Sequence, residues 1–248
     1  MEDLVRATEP VVGYVPAPEG TNPPLDSPGY RSTALRAPHR PALPVPTSLT
    51  ETTGPVFGLE RLGPNDHDLT RQHEGEAVGQ RIIVAGRVLD GNGRAVPEAL
   101  VEIWQANASG RYRHDQDGWR GSLDPNFTGA GRVLTDAEGR YRFVSVKPGA
   151  YPWKNHHNAW RPAHIHFSLF GQAFAQRLVT QMYFPDDPLF SQDPIFNAVP
   201  DPVARQRLVA DYDHDLTEAE WALGFRFDLV LRGRARTPFE DEGGHGLG

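Results

Sequence analysis

The stretch RIIVAGRVLDGNGRAVPEALVEIWQA, residues 81–106, decides the fold. RIIVAGRVL (81–89) is an apolar, β-branched run of strand length. DGNGRAVP (90–97) follows, dense in the residues that turn a chain. ALVEIWQA (99–106) is then a second run of the same kind. Strand, tight turn and strand form the unit of an antiparallel sheet. Working outward, the same grammar recurs. RVLTDAEGRYRFVSV (132–146) carries a turn at Asp136 to Gly139. HIHFSLF (164–170), RLVTQMYF (177–184) and FRFDLVLRG (225–233) are further strands. Runs of about six to nine residues separated by Gly, Pro and Asp turns predict an all-β chain built as an antiparallel β-sandwich.

Helix is scarce in this pattern. The best candidate is DPVARQRLVADY (201–212), with Asp201 as N-cap and Pro202 at the first helical position. Two long loops, 107–128 and 150–163, interrupt the strands, and long loops on a sandwich often carry function. Residues 1–55 differ from the rest. Their proline density forbids a continuous helix or a central strand. They read as an extended N-terminal arm that lies on the main domain or on a partner, with residues 56–248 as the sandwich domain. No internal repeat is visible.

Composition excludes several function classes. The formal net charge is −7 over 248 residues, which gives no basic footprint for nucleic acid. There is no cysteine, so disulfides, thiolate metal sites and a cysteine nucleophile are absent. Any metal must be held by His, carboxylate or phenolate oxygen. No apolar run approaches a membrane span, and MEDLVRATEP lacks the features of a signal peptide. The expectation is a soluble cytoplasmic chain that uses no membrane. Asn107 in NAS and Asn126 in NFT match the glycosylation pattern, as chance alone would produce.

The chemistry concentrates in WRPAHIHFS (160–168). Residues i and i+2 of a strand share a face, so His164 and His166 project together while Ile165, Phe167 and Leu169 point the other way. Two readings stand: satisfied histidines on a half-buried strand, or two metal ligands on a rigid support. Arg161, Pro162 and the nearby Trp153 and Trp160 favour a site. Imidazole pairs suit Zn, Cu, Fe or Ni. No carboxylate lies within this strand, and the nearest acids downstream are Asp186 and Asp187. DYDHD (211–215) fails as a calcium loop, because Leu216 stands where glycine is required and Ala222 where a bidentate Glu is required. It reads as acidic surface. Among the tyrosines, Tyr141 alternates with Phe143 and reads as core. Tyr112 in GRYRH and Tyr151 in PGAYPW sit in Gly- or Pro-bounded loops. For Tyr151 a packing role is equally open, because TDAEGRYRFVSVKPGAY resembles a pattern of transthyretin-like sandwiches that bind no metal.

GRYRH, PGAYPW and WRPAHIHFS, in that order and spacing, resemble the intradiol ring-cleavage dioxygenases. So do PTSLTETTGP, NDHDLT, the long run 79–114, LDPNF and FDLVLRGRARTPFE. The resemblance covers the chain from about residue 23 almost to its end. It implies a non-haem Fe(III) held by Tyr112, Tyr151, His164 and His166, with Tyr151 as the ligand released when substrate binds. It implies cleavage of a catechol by O2 between the two hydroxyl-bearing carbons. Arg161 corresponds to the family arginine facing charge on the ring, and Gln181 to a supporting polar residue that shares a face with Tyr183. Trp104, Trp153 and Ile195 correspond to pocket walls. The Pro-rich arm stands where catechol- and hydroxyquinol-cleaving members carry a helical domain, so the implied substrate is protocatechuate (3,4-dihydroxybenzoate). Tyr30 and Lys154 are then the candidate partners of its carboxylate, Lys154 standing where the best-known relatives have arginine. The complete ligand set implies a β-type chain that pairs with a homologous α chain lacking the ligands, in a higher (αβ)n assembly. A non-catalytic transthyretin-like binding module and a ferrous extradiol enzyme are the rival readings.

Overall fold

The computed structural model describes residues 17–31, 62–170 and 177–239. Most of the expected 1–55 arm lies outside these residues. Eleven strands are described: β1 (Arg81–Leu89), β2 (Leu100–Trp104), β3 (Ala130–Leu134), β4 (Arg140–Val146), β5 (Tyr151–Trp153), β6 (Ala159–Arg161), β7 (His164–Phe170), β8 (Arg177–Tyr183), β9 (Asp211–Tyr212), β10 (Leu223–Arg226) and β11 (Leu229–Val230). One sheet runs β3-β2-β7-β8, antiparallel throughout. In the other, β1 pairs with β4 on one side and with β10 and β11 on the other.

The alternation predicts which residues fill the space between the sheets. Ile82, Val84 and Val88 of β1 and Tyr141 and Phe143 of β4 meet Val101 and Ile103 of β2 and Ile165, Phe167 and Leu169 of β7. Phe167 is central. Its ring lies 6.0 Å from those of Tyr141 and Phe143 and 5.3 Å from that of Phe227. An aromatic ring so buried resists truncation to Ala by about 3–5 kcal/mol. Burial pushes the Tyr141 phenol well above its ordinary range. Its hydroxyl donates to the Phe227 carbonyl, so Tyr141 is core, as its alternation with Phe143 indicates.

Several local expectations are revised. The pairings of β1 with β10 and β11 are parallel, within a sandwich whose other ladders are antiparallel. The 225–233 run is broken after Arg226, where the Asp228 carboxylate instead takes the Arg87 amide at 2.8 Å. Among the described residues, one 3-10 turn stands at Phe190–Gln192 and α-helix is limited to Pro194–Asn197 and Pro202–Gln206. Asp201 caps the latter through Val203 N, but the helix stops at Gln206 and Tyr212 belongs to β9. Asp213 of the acidic run is held by Arg226 at 2.7 Å. Among the described residues no helix is long and apolar enough to cross a membrane.

Residues 17–31 cross the main domain without strand or helix. Arg31 N donates to Asn155 O at 2.8 Å, Asp201 N to Gly20 O at 3.0 Å, and Phe239 N to the Asn22 side chain at 3.2 Å. These bonds bring Tyr30 to the hairpin β5–β6.

Candidate metal centre

The register of three strands sets out the site. In β7, His166 lies between Trp104 of β2 and Gln181 of β8, and His164 lies opposite Tyr183. All five face away from the sandwich interior. Both histidines are buried. The 150–163 segment, expected as a loop, is the hairpin β5–β6, which pairs Tyr151 with Arg161. Its strands are three residues long and contain Pro152, so the alternation that marks longer strands is missing.

Tyr112 comes from the loop between β2 and β3. Asn107 organises that loop. Its Oδ1 accepts from Ser109 N, the Ser109 hydroxyl and Arg111 N at 2.8–3.0 Å, and its Nδ2 donates to Ser122 O at 2.8 Å. The Asn107 side chain is therefore a buried structural hub. Asp117 accepts from Tyr112 N at 2.7 Å. Gly110, at φ +75°, brings the loop against the Ala150 carbonyl, which a Cβ there would meet at 2.3 Å. That approach places the two tyrosine-bearing segments side by side.

The result is a four-group cluster. Tyr112 Oη is 3.1 Å from His166 Nε2, Tyr151 Oη is 3.3 Å from His164 Nε2, and the two phenol oxygens are 3.5 Å apart. His164 Nδ1 lies 2.7 Å from the Pro162 carbonyl. A carbonyl only accepts, so Nδ1 carries the proton and the Nε2 lone pair faces Tyr151. Burial first, then Arg161 and His166, hold the His164 pKa well below its usual value. The ring is neutral, as a ligand must be. Trp104 stacks on His166 at 4.8 Å and 5° between planes. Its observed contact is thus with a histidine of the cluster, fixing that ring. Among the described residues no cluster of three or more imidazoles and carboxylates could hold a metal ion. Two imidazoles with two phenols form a different donor set, one that brings two negative charges after deprotonation and fits a hard, highly charged cation.

Beside the cluster lies a buried polar network. Arg161 Nε is 3.0 Å from Asp193 Oδ1, with both side chains almost wholly out of solvent. Its Nη2 donates to Gln181 Oε1 and, at 3.2 Å, to the Tyr183 oxygen. The Tyr183 hydroxyl lies 3.0 Å from Asp193 Oδ2 and 2.9 Å from Gln181 Oε1. Burial, then the Asp193 charge, push the Tyr183 phenol well up, so it stays protonated and donates. Asp193 is absent from the residues singled out in the sequence. The available signal was Asp-Pro before an apolar pair in QDPIF, which marks a helix cap and gives no hint of a partner 32 residues upstream.

The remaining candidates fall around this centre. Trp153 is half-buried, its ring 4.9 Å from Tyr30 and 5.9 Å from the Arg161 guanidinium. Ile195 is half-buried, and its amide donates to Asp193 Oδ1 at 2.9 Å. Lys154 is exposed at the hairpin turn, its Nζ 3.1 Å from where a Cβ on Gly118 would sit. It is not among the groups that the cluster draws together.

A family model described as "Dioxygenase" matches residues 52–233, and one described as "Protocatechuate 3,4-dioxygenase beta subunit N terminal" matches residues 14–48. The protocatechuate 3,4-dioxygenase beta chain of Burkholderia cepacia is 57% identical over 222 residues, covering 89% of this chain and 94% of its own. The chain belongs to the intradiol ring-cleavage dioxygenase family. The protocatechuate 3,4-dioxygenase alpha chain of Pseudomonas putida is 31% identical, covering 79% of this chain and 97% of its own. Among solved structures, 3-chlorocatechol 1,2-dioxygenase from Rhodococcus opacus aligns with a TM-score of 0.51 at 23% identity, over 70% of this chain and 66% of that one, a likeness of fold. Membership of the intradiol family implies a non-haem iron.

Proposed function

We propose that this chain is the iron-bearing β-type subunit of an enzyme that opens the ring of protocatechuate with O2, giving 3-carboxy-cis,cis-muconate. The observation that carries this reading is the pairing of Tyr112 with His166 and of Tyr151 with His164 around one point. The 57% identity to a protocatechuate 3,4-dioxygenase beta chain supports the substrate.

Tyr112, Tyr151, His164 and His166 would hold the iron as Fe(III), which would supply the Lewis acidity that makes a catechol ring reactive toward O2. The two phenols give up their protons when the site is loaded. Tyr151 stands at the start of a three-residue strand, and its oxygen takes up a catechol proton as substrate arrives. Tyr112 is held by the Asn107 and Asp117 bonds and keeps its place. The Arg161 guanidinium cannot deprotonate and is already oriented, so it meets negative charge on the ring without reorganisation. Gln181 Nε2 is buried with no hydrogen-bond partner among the described residues, and it donates to a bound oxygen. Trp104, Trp153 and Ile195 shape the walls. Tyr30 and Lys154 receive the carboxylate.

The partner is a homologous α chain lacking the four ligands, in an (αβ)n assembly, with residues 1–55 as an arm that straps the pair. Expressed alone, the β-type chain is then weakly active, and the α chain restores it. The direct test is product analysis on the co-expressed pair. 3-Carboxy-cis,cis-muconate from protocatechuate supports the reading. A faster reaction with catechol, or a product opened outside the two hydroxyl carbons, contradicts it.

A further inference from the structure

The Asp193 carboxylate is wholly buried and makes three contacts that meet nowhere else. Oδ1 lies 3.0 Å from Arg161 Nε and accepts from Ile195 N at 2.9 Å. Oδ2 lies 3.0 Å from the Tyr183 hydroxyl. A charge so buried persists only when paired and hydrogen-bonded. If its task were to cap a four-residue helix, an asparagine would serve as well. If its task were packing, an apolar group of the same size would serve better. What needs a full negative charge here is Arg161. A guanidinium has several rotamers, and a buried one without a counter-charge would turn toward the phenolates of Tyr112 and Tyr151. Asp193 holds it from behind at Nε, while Nη2 spans Gln181 and Tyr183. The same carboxylate ties the Arg161 end of β6 to the helix that carries Ile195.

We propose that Asp193 is a positioning residue for ring cleavage: it fixes the direction of the Arg161 guanidinium and, through Ile195 N, registers one wall of the substrate pocket to that charge. The inference rests on the reading of this site as the ring-cleavage centre. Asp193 touches neither the four-group cluster nor substrate and acts through Arg161.

The test is a double-mutant cycle on the co-expressed pair, with Asp193→Asn, Arg161→Leu and the two combined. Iron content, kcat, KM and thermal midpoint are read for each. Asp193→Asn preserves shape and the cap on Ile195. The expected result is bound iron, a KM within about threefold of the parent and a kcat lower by about 10- to 100-fold, the usual cost of removing a group that holds a catalytic one. Combined with Arg161→Leu, it adds no more than about threefold, because residues acting as a unit are not additive. Normal kcat in iron-loaded Asp193→Asn overturns the proposal, as do losses that multiply in the double variant. Should Asp193→Asn fail to fold, Asp193→Glu keeps the charge but displaces the carboxylate by one methylene from its place at Arg161 Nε. The proposal then requires a kcat loss that vanishes in the Arg161→Leu background, and an equal loss in both backgrounds overturns it. If the parent pair binds no iron and cleaves no catechol, the reading of the site fails first, and the two failures are distinct.

Discussion

Tyr151 Oη and His164 Nε2 lie 3.3 Å apart, although one begins a hairpin strand and the other begins a strand of the main sheet. The Arg161–Tyr151 pairing in the hairpin and the two-residue link Pro162–Ala163 between β6 and β7 enforce this contact. Tyr112 has a different support, a loop stitched by Asn107 and Asp117. The two phenols are therefore unequal. Tyr151→Phe is expected to keep iron while slowing substrate binding, because the group that accepts the catechol proton is gone. Tyr112→Phe is expected to disturb the visible absorption of the resting protein more strongly. Stopped-flow binding and visible spectra of both variants check this, and the reverse order exchanges the two roles.

Arg161→Leu is expected to retain iron and bind substrate while turnover falls by about 10²–10³, the cost of losing one preorganised charge stabiliser. Steady-state kinetics with a binding titration separates the two effects. Near-normal turnover removes Arg161 from the chemistry.

Lys154→Met is expected to weaken protocatechuate much more than catechol, which has no carboxylate. A truncated hydrogen bond to a charged group costs about 1.5–3 kcal/mol, so the preference falls by roughly one to two powers of ten. Measuring kcat/KM for both substrates in both proteins decides it. Equal weakening assigns the carboxylate to another donor.

Asn107→Ala strips the loop before Tyr112 of the four hydrogen bonds made by the Asn107 side chain. Leaving its buried donors and acceptors unpaired costs about 1–3 kcal/mol or more. The expected outcome is a lower thermal midpoint together with weaker iron retention, read by differential scanning calorimetry and metal analysis. Asn107→Asp, which keeps the acceptor, recovers part of both. Unchanged iron retention in Asn107→Ala separates the loop from the metal centre.

The long strands were legible as apolar, β-branched runs of strand length between turn residues, to which the period of two along a strand applies. RIIVAGRVL and HIHFSLF have the bounds that the sequence indicates. The shared face of His164 and His166 followed from the same period. The hairpin β5–β6 was not legible, since three residues give no period and Pro152 argues against a strand. The parallel pairing of Ile82 to Leu223 joins segments 141 residues apart, and nothing local encodes it. Asp193 escaped for the same reason. A helix cap is a local signal, whereas an ion pair with Arg161 exists only after the chain has folded.

Everything proposed for this site depends on Tyr112, Tyr151, His164 and His166 together holding ferric iron. The most direct measurement is metal analysis with a visible spectrum on the co-expressed, purified pair. The expected result is one iron per β-type chain and a red-brown solution from charge transfer between phenolate and Fe(III). Active protein that is colourless, or that contains zinc or no metal, contradicts it.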